Sequence, residues 1–167
     1  LNKHVWQNQE FLSIAGGGTA ARYYLSLSIL SKDGVFKQDK SCHDYNTNVG
    51  YTKYSFLSKV DANLTKRTTL SLKLNQVIVD NDGPGLSDNN TLWSAQANLT
   101  PVTMPVKYSN GQLSSFGKNG DQISPYVQLN EMGYKQNRRL NTDLSVSIDQ
   151  NLDFITKGLK VRGMFSY

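Results

Sequence analysis

Apolar and polar residues alternate one by one through most of this chain, and only an extended strand has a side-chain period of two. The clearest stretch is Leu140 to Leu152, where Leu140, Leu144, Val146, Ile148 and Leu152 oppose Asn141, Asp143, Ser145, Ser147, Asp149 and Asn151. Tyr23, Leu25, Leu27 and Ile29 likewise oppose Tyr24, Ser26 and Ser28. Tyr54, Phe56, Val60, Ala62 and Leu64 face away from Ser55, Lys59, Asp61 and Asn63, and Leu70, Leu72 and Leu74 away from Thr69, Ser71, Lys73 and Asn75. Leu159, Val161, Phe165 and Tyr167 oppose Lys160, Arg162 and Ser166, and a weaker strand is expected within Phe11 to Ala15. The pattern predicts an all-β chain with antiparallel strands at roughly 11–15, 22–31, 51–64, 68–79, 140–152 and 159–167, each with one apolar and one polar face.

The connections alternate as well. Gly16 to Ala21, Thr65-Lys66-Arg67 and Asp153 to Gly158 are short; Lys32 to Gly50 and Asp80 to Arg139 are long. In an up-and-down meander this sequence of lengths puts every tight turn on one rim and both long loops on the other. Strands of this kind with that asymmetry are the signature of an outer-membrane β-barrel, with 80–139 as a long extracellular loop. Tyr23, Tyr24, Tyr51, Tyr54, Phe56, Phe154, Phe165 and Tyr167 lie near strand ends, where interfacial aromatic girdles occur. Six strands are too few to close a barrel, which needs about eight. Open edges are not tolerated in lipid. The expectation is therefore an arc of a larger transmembrane barrel. The alternative is a soluble β-sandwich, a carbohydrate-binding or adhesion module, whose strands would alternate for the same reason.

Composition narrows the classes. At 167 residues the chain can build a core, and its low charge content with 10% aromatics excludes disorder. No run of about 18 apolar residues exists, so a transmembrane helix is excluded. The single cysteine, Cys42, forbids an internal disulfide. The net charge of +5 is spread along the chain rather than gathered on one face with stacking aromatics, so no nucleic-acid partner is expected. The chain opens on Leu1-Asn2-Lys3 without a signal-peptide pattern and stops at Tyr167 inside an alternating segment, which reads as a piece of a longer protein.

Several stretches carry a resemblance. Ser13-Ile14-Ala15-Gly16-Gly17-Gly18-Thr19 running into Ala21-Arg22-Tyr23-Tyr24-Leu25-Ser26-Leu27 resembles early barrel strands of SusC/RagA-like TonB-dependent transporters. Ser31 to Lys37, Tyr54 to Thr65 and Asn151 to Gly163 are similar to later elements of that family, in family order. A third glycine at the first turn departs from the usual pair. The resemblance implies an importer of oligosaccharides or peptides in the outer membrane of a Gram-negative bacterium. Its implied partners are outer-membrane lipid, a SusD-like surface lipoprotein, and TonB acting through an N-terminal plug that lies outside this chain.

No catalytic or cofactor chemistry is expected. Cys42-His43-Asp44 places three reactive types side by side, but neighbours in an extended chain point apart and do not converge. No metal-ligand spacing is present. Asp80-Asn81-Asp82-Gly83 with Asp88 has the oxygen ligands of a calcium loop, yet the glycine comes too early for an EF-hand and no closing glutamate follows, so a turn is the simpler reading. Trp93, Tyr108, Phe116, Tyr126 and Tyr134 lie among Asn, Gln and Ser in the long loop. Aromatic faces beside amides and hydroxyls suit a glycan vestibule, and these five are the candidate substrate contacts; the alternative is that they form the loop's own small core or dock on a partner.

Overall fold

In the computed structural model, which describes residues 1–41, 43–86, 90–100, 102–116 and 122–167, the alternating segments form one sheet. Its strands are β1 (Gln7–Gly17), β2 (Ala21–Lys32), β3 (Gly50–Thr65), β4 (Thr68–Pro84), β7 (Tyr134–Asn151) and β8 (Lys160–Ser166). Between β4 and β7 come helix α1 (Asn90–Asn98), the two-residue strands β5 (Ser115–Phe116) and β6 (Gln122–Ile123), and helix α2 (Pro125–Asn130). The sheet runs β1-β2-β3-β4-β7-β8, antiparallel and up-and-down, an open arc not closed into a barrel.

The register of the last hairpin sorts its two faces. Val146 pairs with Phe165 and Ile148 with Gly163, while Ser145 pairs with Ser166 and Asp149 with Arg162. Apolar side chains thus predominate on one side and polar ones on the other, although Met164 pairs with Ser147 on the polar side and Gln150 with Val161 on the apolar side. Arg162 donates to the Asp149 carboxylate from both Nε and Nη2. At the other edge the Tyr23 ring lies against Gly16, filling the place a side chain would take. Gly17 has φ of +147°, which explains a glycine there, and the extra Gly18 donates to the Ala21 carbonyl at 2.7 Å within the turn.

The strands outrun their alternation. β1 spans Gln7–Gly17 rather than 11–15, and β7 starts at Tyr134 rather than 140, through residues that carry no apolar pattern. Pairing is a backbone affair and needs no apolar side chains. β4 similarly continues to Pro84, so Asp80-Asn81-Asp82-Gly83 is strand and not a turn. Just past Pro84, the Gly85 N–H donates to the Gly133 carbonyl at 3.0 Å. Residue 85 passes so close to the Met132 carbonyl that a Cβ would collide with it.

The chain divides into two compact units. Unit 2 comprises Gln7–Ser31, Thr52–Val79 and Arg138–Tyr167, the strands with their three short turns. None of its residues is buried. Unit 1 comprises Leu1–Trp6, Lys32–Tyr51 and Asp80–Asn137, which include the first long connection and most of the second. The described residues of the expected loop at 80–139 thus include folded elements, and the buried side chains among the described residues belong to unit 1: Phe36, Leu86, Leu92 and Leu129 form its core, with Val49 packed on them.

Candidate functional site

Unit 1 is held together by contacts that no local pattern announces. Ser124 caps α2, its Oγ accepting from the Val127 N–H at 3.2 Å, with Pro125 supplying a preset φ in the first turn. Leu129 of that helix and Leu92 of α1 meet Phe36 from the first long connection. The Asn2 amide donates to the carbonyls of Gly34 and Phe36, at 3.0 and 2.9 Å, and the Asn48 amide to that of Phe36 at 2.7 Å.

A polar seam runs beside this core. Asp39 N–H donates to Asn130 Oδ1 at 2.8 Å, and the Asp39 carboxylate accepts from Ser41 Oγ at 2.6 Å and Tyr126 Oη at 2.7 Å. Hydrogen bonds from the Ser41 hydroxyl first, then from Tyr126 and the Ser41 N–H, hold the Asp39 carboxyl down at about 2. The Lys107 ammonium sits 5.3 Å from the Tyr126 ring centroid. Farther along, His43 Nε2 is 3.2 Å from Glu131 Oε2, the His43 ring stacks on Tyr45 at 4.7 Å, and Tyr45 meets Tyr134 at 5.2 Å.

Among the described residues of this unit, clefts open at two places. The larger, about 450 Å³, is walled by strand ends: Val49, Gly50 and Tyr51, Asn81 to Pro84, Leu86, and Lys135 with Asn137. Its carboxylate (Asp82), ammonium (Lys135), amides (Asn81, Asn137) and phenol (Tyr51) can hydrogen-bond a hydroxyl-rich or amide-rich ligand. The smaller, about 250 Å³, is lined by Lys32 to Phe36, Val49 to Tyr51 and Trp93, with the Lys32 ammonium 5.8 Å from the Tyr51 ring centroid.

The four candidate aromatics whose side chains are described are dispersed rather than gathered. Trp93, 46% exposed, packs on Phe36 at 5.0 Å and lines the smaller cleft. Tyr126 belongs to the Asp39 seam, Tyr134 (55% exposed) to the His43–Tyr45 stack, and Tyr108 to a tight turn in which its N–H donates to Gln112 O. Tyr108, Tyr126 and Tyr134 line neither cleft. The backbone of Phe116 is in β5; its side chain, like Cys42 and Asp88, lies outside the described residues. Among the described residues no three His, Cys, Asp or Glu converge as a metal site, and no helix is long and apolar enough to cross a membrane. The walls of the larger cleft were missed because they stand on strand ends, outside the aromatic-rich segment. Lys135 and Asn137, spaced by two on one strand face, were the available signal.

No protein-family model and no curated protein matches the chain.

Proposed function

We propose that this chain is an arc of a transmembrane β-barrel in the outer membrane of a Gram-negative bacterium. Its role is substrate passage in a TonB-dependent importer of the SusC/RagA-like type, for oligosaccharides or peptides, without catalysis by this segment. The observation that carries the reading is the unburied sheet. Leu12, Ile14, Leu25, Leu27, Leu72, Leu144 and Ile148 are exposed, and every buried apolar side chain among the described residues is in unit 1. An exposed apolar face of that extent calls for a covering, and lipid supplies one over its whole breadth. The polar face then lines the lumen, where Asn75 Nδ2 donates to Asp143 Oδ2 at 2.9 Å and Lys59 lies 3.5 Å from Asp61.

In this reading the long connections are extracellular and the short turns periplasmic. The larger cleft of unit 1, with Tyr51, Asn81, Asp82, Lys135 and Asn137, is the place where cargo would first be held. A SusD-like lipoprotein is the surface partner, and TonB acts through a plug outside this chain. The test uses the full-length parent, cleared of other cysteines. On intact cells an impermeant maleimide should label Asn110→Cys, and should reach Lys66→Cys only after the outer membrane is opened. The reverse pattern inverts the orientation. Recovery of the parent in the soluble fraction overturns the barrel altogether.

A further inference from the structure

We propose that the adjoining tips of the β3–β4 and β7–β8 turns form a docking patch for anionic phospholipid headgroups. The first turn exposes Lys66 and Arg67, and the second exposes Phe154, Ile155 and Lys157. The two tips are one surface. Asn151 N–H donates to the Arg67 carbonyl at 2.8 Å, Thr68 Oγ1 donates to Gln150 Oε1 at 2.7 Å, and the Arg67 guanidinium lies 5.4 Å from the Phe154 ring centroid.

The second tip is built to hold its apolar residues outward. The Asp153 carboxylate accepts the Gly158 N–H at 2.8 Å, Asn151 Oδ1 accepts the Asp153 N–H at 3.0 Å, and Gly158 takes φ of +85°. The Ile155 N–H donates to Leu152 O at 2.9 Å, closing the turn. Phe154 and Ile155 are left 61% and 64% exposed, with Leu64 also exposed at the end of β3. Lys66, Arg67, Lys157 and Lys160 carry positive charge at these tips, and the Asp153 carboxylate is engaged by the amide of its own turn.

Charge and shape together select the occupant. Apolar side chains on a tip enter the headgroup and acyl boundary, while Lys and Arg meet the phosphates. With its Cζ 5.4 Å from the Phe154 ring centroid, the Arg67 guanidinium can offer its edge donors to a phosphate oxygen. A nucleic acid would need open ring faces for stacking. Here the guanidinium lies over the Phe154 ring. An acidic protein surface would satisfy the cations and leave Phe154 and Ile155 in water. The inference rests on the membrane reading only for the level at which the tip sits; the headgroup chemistry is its own.

The test uses the full chain and two kinds of vesicle, neutral phosphatidylcholine and the same lipid with phosphatidylglycerol. Both native tryptophans, Trp6 and Trp93, lie in unit 1, so Phe154→Trp reports on the tip after subtraction of the parent signal. Its emission should shift to the blue with phosphatidylglycerol vesicles. With about fivefold in affinity per cation near a membrane surface, Lys66→Gln/Arg67→Gln/Lys157→Gln should bind roughly 100-fold more weakly. The exposed trio Lys3→Gln/Lys37→Gln/Lys40→Gln should bind as the parent does. Ile155→Ser, which leaves the charges in place, should keep the lipid preference and lose part of the blue shift.

Equal binding to both vesicle types overturns the proposal, as does a tip triple variant within twofold of the parent. A blue shift reproduced by inorganic phosphate alone would overturn the lipid assignment. Ile148→Trp, compared with Phe154→Trp in the full-length parent reconstituted in the same lipids and each read after subtraction of the parent signal, separates the two readings. If it stays in water while Phe154→Trp shifts, the arc reading fails and the headgroup patch stands.

Discussion

Leu92→Ala asks whether the two units hold themselves by different means. Leu92 is 2% exposed and sits on α1 in a cluster with Phe36, Leu86 and Leu129. Truncating a buried leucine costs about 2–5 kcal/mol, the lower values arising where neighbours can close the void. This cluster is small and its Phe36–Trp93 edge can shift, so about 3 kcal/mol is the expected loss. That is roughly a 150-fold fall in amide protection if unit 1 opens by itself. Leu144→Ala on the sheet is the counterpart. Leu144 is exposed and has no buried neighbour in its unit, so removing it in detergent should cost less than about 0.5 kcal/mol. Hydrogen exchange by mass spectrometry on the full chain in micelles reads both. Peptides over 90–98 and 125–130 should lose protection in Leu92→Ala, while those over 140–150 keep it. Equal loss in β7 would refute independent opening of unit 1. A cost for Leu144→Ala as large as that for Leu92→Ala would mean that the sheet's apolar face packs against protein rather than detergent, and the lipid-facing assignment would fall.

Ile148→Arg in a bilayer-inserted parent should cost about 2–4 kcal/mol near the midplane, against little for Ser147→Arg on the polar face, read by denaturant refolding into vesicles. The Asp39 carboxyl is depressed from 3.8 to about 2 in the fold, so its contribution is complete above about 4 and drains away as pH falls toward 2. NMR titration should show this, and Tyr126→Phe should move the Asp39 transition upward. Gly85→Ala should loosen unit 1, because its Cβ meets the Met132 carbonyl, whereas Gly18→Ala, with open space around it, should not; exchange over 125–130 distinguishes them.

Period-two alternation was enough to place the six strands and most of their two faces, because both depend on side chains two positions apart. The short and long connections were legible for the same local reason. The ends of β1, β4 and β7 were not, since backbone pairing carries on through residues without an apolar pattern. The start of α2 at Ser124-Pro125 went unread, although a serine before proline is a local helix-start signal. The rest of unit 1 was decided only by tertiary structure. Its core joins Phe36 to Leu92 and Leu129, and its polar seam joins Asp39 to Asn130 across 91 positions. Such contacts leave no periodic trace, because loop closure brings together residues whose sequence separation carries no information about their pairing. The same closure sent Tyr126 to Asp39 and Tyr134 to Tyr45, and left the larger cleft to the ends of strands.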